Sequence, residues 1–281
     1  MRPSRPEVDP RIDPRQDPEV LRSTARLRFF RFVLRRQLRR SFRSVRLAPG
    51  VPTLSDALPL IVYFNHPSWW DGALVPIVLD RLFPRRRVYG PIDDDALQRY
   101  GFMRRLGFFG VKRDSYAGAA LFLRVGRRLL SRPDTLFCLT PEGHFSDPRK
   151  RPLRLQPGLA TLIASVPRVT VLPMAVEYPF WTERLPEALI AFGEPQVMGR
   201  EFEASSIDLQ AALASNLRDT MTRLADLSIE RDATRFVELF EGTVGVGGVY
   251  DFGRRLRAWS RGERFDATHA GGTIDRLTDR G

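Results

Sequence analysis

Asn65-His66-Pro67-Ser68-Trp69-Trp70-Asp71-Gly72 sets an imidazole and a carboxylate five positions apart, directly after the apolar run 58–64. On one continuous helix, residues at that spacing point to different faces. Pro67 suits a first helical position, so His66 is expected at or just before a helix N-terminus, with Asp71 one turn in. From there the carboxylate can fold back onto the imidazole. An aspartate on Nδ1 fixes the tautomer and supports the imidazolium, which leaves Nε2 to take a proton. The pair reads as a general base with no nucleophile of its own. Ser68, the motif's only hydroxyl, reads as a helix-start or positioning residue. Trp69 and Trp70 would dry a pocket or face apolar groups, with core packing as the equal alternative.

Such a dyad needs elements to hold it. Residues 58–64 read as a short buried strand, β-branched and aromatic. From there the pattern alternates. Strands are predicted over 87–90, 108–112, 135–140, 169–177 and 188–192. Helices are predicted over about 69–82, 94–106, 115–130, 157–165 and 207–228. Alternation of this kind gives an α/β fold, a largely parallel (mixed) sheet flanked by helices. Open sheets of that type bind ligands beyond the carboxyl ends of their strands, where His66 stands.

Composition bounds the rest. The chain has 281 residues, 43% of them apolar, enough for one large core. Its one cysteine, Cys138, excludes an internal disulfide framework and reads as a small buried hydrophobe. No apolar run reaches the roughly 18 residues that cross a bilayer, and no secretory leader pattern opens the chain. A location on the cytoplasmic face of the cell membrane, peripheral, is the expectation. Net charge is +12, and residues 21–47 hold ten arginines and no acid. There Leu27, Phe30, Leu34, Leu38, Phe42 and Val45 share one helical face; Arg31 intrudes on it, and Phe29, Phe32 and Val33 interrupt the opposite one. This N-terminal basic amphipathic helix reads as an interfacial anchor on an anionic membrane surface, with packing on its own domain as the alternative. Nucleic acid is the less favoured partner for the same charge.

The organisation follows: a disordered N-terminus at 1–19, the membrane-association helix at 20–47, a catalytic domain at 53–230, and a basic Gly-rich tail at 231–281 with Trp259 among arginines. Gly253-Arg254-Arg255-Leu256 and its neighbours suit a second small surface helix.

Three further segments accompany the dyad: Gly107-Phe-Phe-Gly-Val-Lys112-Arg113, Thr140-Pro-Glu142-Gly143-His144, and Val171-Leu-Pro173-Met-Ala-Val176. With His66 and Asp71 they resemble, in order and spacing, the four blocks of the glycerophospholipid acyltransferase family, over about residues 58–194. The resemblance implies transfer of a fatty acyl group from acyl-CoA or acyl-carrier-protein to a hydroxyl of a lysophospholipid or glycerol-phosphate acceptor. His66 would be the base and Asp71 its support. Arg113, beside Lys112, would bind phosphate bidentately. Glu142 and Gly143 would meet the acceptor, and Pro173 would shape the pocket wall. Backbone N–H groups at the following helix start would bind the oxyanion. A thioester is already activated, so no acyl-enzyme, metal or other cofactor is expected; the partners are the acyl thioester donor, a carrier protein among the possible sources, and the lipid hydroxyl acceptor.

The third block departs from the family's Glu-Gly-Thr-Arg, reading Glu142-Gly143-His144-Phe145. An aromatic ring replaces a cationic phosphate ligand, so a glycolipid or other lipid alcohol is the alternative acceptor. Arg149, Lys150 and Arg151 could restore the charge. His144 is a second, lower-ranked base. A non-catalytic membrane- or nucleic-acid-binding protein on the same fold is the reading from a different class.

Overall fold

The computed structural model describes residues 12–13, 16–200 and 206–242. The segments 1–11, the Gly-rich run from Thr243 and the basic segment around Trp259 lie outside the described residues.

In chain order the helices are α1 (Pro18–Leu21), α2 (Thr24–Ser41), α3 (Asp71–Leu82), α4 (Asp94–Arg99), α5 (Tyr116–Leu129), α6 (Gly158–Ser165) and α7 (Ser206–Glu230). The strands are β1 (Ser44–Leu47), β2 (Leu60–Phe64), β3 (Arg87–Asp93), β4 (Phe108–Val111), β5 (Thr135–Leu139), β6 (Val169–Glu177), β7 (Glu187–Phe192), β8 (Gln196–Met198) and β9 (Val237–Glu241). They form one nine-stranded mixed sheet in the order β4-β3-β5-β2-β6-β7-β1-β9, with β8 also on β6. Neighbours from β4 through β6 are all parallel, as are β7 and β1. The pairs β6–β7, β6–β8 and β1–β9 are antiparallel.

Alternation along the strands sorts side chains into two cores. Ile61 and Tyr63 of β2 point to the layer of α5, α6 and α7, with Val125, Leu162 and Leu217. Leu60, Val62 and Phe64 point to the layer of α2 and α3, with Leu38, Leu74 and Val78. Because β2 to β5 are parallel, the loops leaving β2, β3, β4 and β5 all emerge at one end of the sheet. That end carries His66, Asp93, Arg113 and the 140–146 loop.

Four differences from the sequence reading bear on the site and its surroundings. The helix expected from 69 begins at Asp71, because Ser68, Trp69 and Trp70 form a turn in which Asp71 N–H donates to Ser68 O at 3.2 Å. The helix expected over 94–106 breaks at Tyr100 into α4 and a 3-10 segment, Gly101–Leu106. The basic helix ends at Ser41, and Ser44–Leu47 joins the sheet as β1. Val237–Glu241, placed in the tail, pairs with β1 as the outer strand β9. Buried Arg46 holds this corner by pairing with Glu187 at 3.1 Å and Glu238 at 3.5 Å.

The N-terminus is anchored as well. Ile12 is buried, and fully buried Asp17 caps α1 through Glu19 N–H and grips both guanidinium nitrogens of Arg128 on α5. The expected disorder over 1–19 does not extend to these residues.

Candidate active site

Asn65 sets the exit angle of His66 from β2. Its side-chain amide donates to Val176 O at 3.0 Å and accepts from Val176 N–H at 2.8 Å, extending the β2–β6 pairing by one side chain. Just past that lock, His66 Nδ1 lies 2.6 Å from Asp71 Oδ2. Asp71 is the first residue of α3, and the same oxygen accepts Ser68 N–H at 3.1 Å. Its other oxygen, Oδ1, accepts Tyr178 O–H at 2.5 Å. The carboxylate is 2% exposed, so its charge is desolvated and leans on those three donors. With Nδ1 bonded, Nε2 is the imidazole's free nitrogen.

Ser68 shapes this turn: its Oγ accepts Trp70 N–H at 3.2 Å, as a helix-start residue does. Trp70 and Asp71 N–H are therefore spent on Ser68 and are not available as oxyanion donors. Trp70 packs into the α2–α3 core, 5.1 Å from the Phe42 ring, while Trp69 stays 56% exposed.

The loop after β5 folds over the imidazole. Ser146 N–H donates to His66 O at 2.9 Å, and the Phe145 ring lies 4.3 Å from the His66 ring. Gly143 adopts φ +75°, a conformation that costs a side chain dearly. Its carbonyl accepts Arg113 Nη1 at 3.3 Å, while Arg113 Nε pairs with Asp93 at the end of β3. Arg113, Gly143, Phe145 and His66 are thus linked across the sheet end. Glu142 stands in the same loop and is buried, 4% exposed.

Other predicted residues stand apart. Lys112 is exposed, and among the described residues no side-chain bond joins its ammonium to the dyad. Pro173 lies inside β6, paired in register with Tyr63, and its carbonyl accepts Gly193 N–H at 2.9 Å. His144 turns Nδ1 to Glu142 O at 2.9 Å. Arg149 is held bidentately by Asp147 (2.9 and 2.7 Å), and Arg151 turns to the carbonyls of Pro148 and Lys150. Burial pushes the Cys138 thiol up to about 12, which removes it as a nucleophile. Sequence reasoning missed Tyr178 and Asp93. Both follow from position, since β6 and β3 also end at the site's edge of the sheet.

The acyltransferase family model matches residues 48–177, the span from the end of β1 to the end of β6. Residues 48–177 are thus similar to the acyltransferase family. No curated protein matches the chain. The match supports an acyl-transfer enzyme. Among the described residues, no helix is long and apolar enough to cross a membrane.

Proposed function

We propose that the chain is an O-acyltransferase of phospholipid synthesis, moving a fatty acyl group from acyl-CoA or acyl-carrier-protein to the hydroxyl of a lysophospholipid or glycerol-phosphate acceptor. The observation that carries this is the His66 Nδ1–Asp71 Oδ2 contact of 2.6 Å at the end of β2. His66 Nε2 takes the hydroxyl proton as the acceptor oxygen attacks the thioester carbonyl. The tetrahedral oxyanion collapses, the carbon–sulfur bond breaks, and the thiolate leaves to be protonated by the imidazolium. Asp71 supports the transient positive charge. Arg113 is the phosphate ligand in this reading, although Asp93 already offsets part of its charge.

One feature favours a second acceptor class. Phe145 covers His66 where the family pattern has an arginine, and both nearby arginines are engaged within their own loop. A glycolipid or other lipid alcohol suits that aromatic, less cationic mouth. An acceptor panel tests both readings: glycerol 3-phosphate, lysophosphatidate and neutral glycolipids, each with one acyl thioester. Selective use of the phosphorylated acceptors supports the first, selective use of neutral ones the second, and transfer to none defeats both.

Membrane association is part of the proposal, through a different face from the one the sequence suggested. Leu27, Phe30, Leu34 and Leu38 pack against the domain core, so they are not free to meet lipid. The outward face of α2 instead carries Phe29, Phe32 and Val33, exposed by 61%, 67% and 40%, with Arg28, Arg36 and Arg40 among them. Exposed rings among cations, on a helix with no acid, suit an anionic lipid surface on the cytoplasmic side.

A further inference from the structure

Asp71 has more work than one imidazole. Its Oδ2 serves His66 and Ser68 N–H, while Oδ1 takes the Tyr178 hydroxyl at 2.5 Å. Tyr178 follows β6 directly and sits on the far side of the carboxylate from His66. Its ring is held by Phe42, the residue just after α2, at 5.4 Å; Phe42 also touches Trp70 at 5.1 Å. An aromatic clamp fixes the phenol, and the phenol fixes the carboxylate.

We propose that Tyr178 is a positioning residue that sets the basicity of His66 through Asp71. This rests on His66 being the base. A hydroxyl donated to a carboxylate draws charge from it and makes it a weaker partner for the imidazolium. Tyr178 therefore trades some support of the charged imidazole for a carboxylate fixed in one rotamer, aimed at Nδ1.

Several of the surrounding charges are engaged elsewhere. Glu187 is held by Ser44 and Arg46, and Glu177 turns to Ser228 on α7. In the loop over His66, Asp147 is bound to Arg149 and His144 to the Glu142 carbonyl, with the Glu142 carboxyl buried beside them. Arg43, on the α2–β1 connection, keeps one guanidinium nitrogen buried. Among the described residues, Tyr178 is the ionisable side chain that hydrogen-bonds Asp71 from outside the motif.

The test is Tyr178→Phe in the full chain, which keeps the ring and the clamp. The chain has three histidines, so the His66 ring resonances can be assigned and titrated by NMR. The expected result is an upward shift of the His66 titration by about half a pH unit, with the acid limb of kcat/KM moving the same way. His144 should not move. Should the Phe variant fold poorly, 3-fluorotyrosine placed at 178 keeps the bond with a more acidic donor and should shift the titration downward. Because the NMR readout needs no turnover, it separates this inference from the assignment of the reaction. An unchanged His66 titration in folded Tyr178→Phe, or in the fluorotyrosine protein, overturns the proposal even if activity falls.

Discussion

At the residue scale, the proposed function rests on one desolvated carboxylate with three donors. Asp71→Asn keeps the shape but can present its amide to Nδ1, forcing the wrong tautomer. Acyl transfer should fall by about a hundredfold or more, in a protein whose thermal unfolding is little changed. Phe145→Arg tests the acceptor class: a charge-assisted bond to phosphate is worth about 1.5–3 kcal/mol, so the KM for phosphorylated acceptors should drop about tenfold or more. An unchanged KM would show that the phosphate does not reach this loop. Cys138 offers a clean negative: its raised thiol should leave the folded chain unlabelled by iodoacetamide at mildly alkaline pH, and rapid labelling would contradict its burial. Tyr178 adds a pH dependence. Its phenol is raised well above its usual value by burial and by the Asp71 carboxylate. The stability it contributes is therefore complete below about pH 10 and is lost only as pH climbs towards the folded value. Alkaline unfolding should show a loss that Tyr178→Phe lacks. The sequence made His66, Asp71 and Ser68 legible because they sit in one short motif. Tyr178, 107 positions from Asp71, has no spacing to betray it.

At the element scale, α2 shows what periodicity does and does not decide. Its apolar stripe was readable, but a stripe says only that one side is buried, not whether protein or lipid buries it. Here the stripe meets α3, and Arg31 within it pairs with Asp80 of that helix. The aromatics that looked like interruptions form the outer face. The two faces should respond differently to substitution. Leu38→Ala, at a site 1% exposed, should cost about 2–5 kcal/mol in denaturant unfolding. Phe29→Ser with Phe32→Ser should leave stability nearly unchanged while weakening sedimentation with anionic vesicles. Equal vesicle binding by that double variant would remove α2's outer face from the membrane proposal. β1 and β9 were hidden for another reason. Ser44-Val45-Arg46-Leu47 continues the basic pattern of α2, and Val237-Glu-Leu-Phe-Glu241 is too short and charged to stand out as a strand. Pairing of β1 with β7 and of β9 with β1, together with the Arg46–Glu187 contact, brings them into the sheet, with β9 outermost.

At the scale of the whole molecule, parallel strand order gathers the chemistry. Loops from β2, β3, β4 and β5 reach one end of the sheet, and β6 delivers Tyr178 to the same end. Strand and helix alternation made that architecture legible in outline. The clasp between the N-terminal segment and α5 was not, because Pro- and Asp-rich sequence carries no pattern that names Arg128 as a partner. Asp17→Ala leaves that guanidinium short of its main counter-charge and should lower stability by about 3 kcal/mol, read from the denaturant midpoint. The central claim is that this sheet end transfers acyl groups through His66. Its most direct measurement follows acyl transfer from a purified acyl thioester to lipid acceptors in vesicles, using the full chain and its His66→Ala variant, both checked for folding by circular dichroism. Ester formation matched by thiol release is expected in the wild type, slowed by about a hundredfold to ten-thousandfold in the variant. A folded His66→Ala protein that transfers at nearly the wild-type rate would contradict the claim.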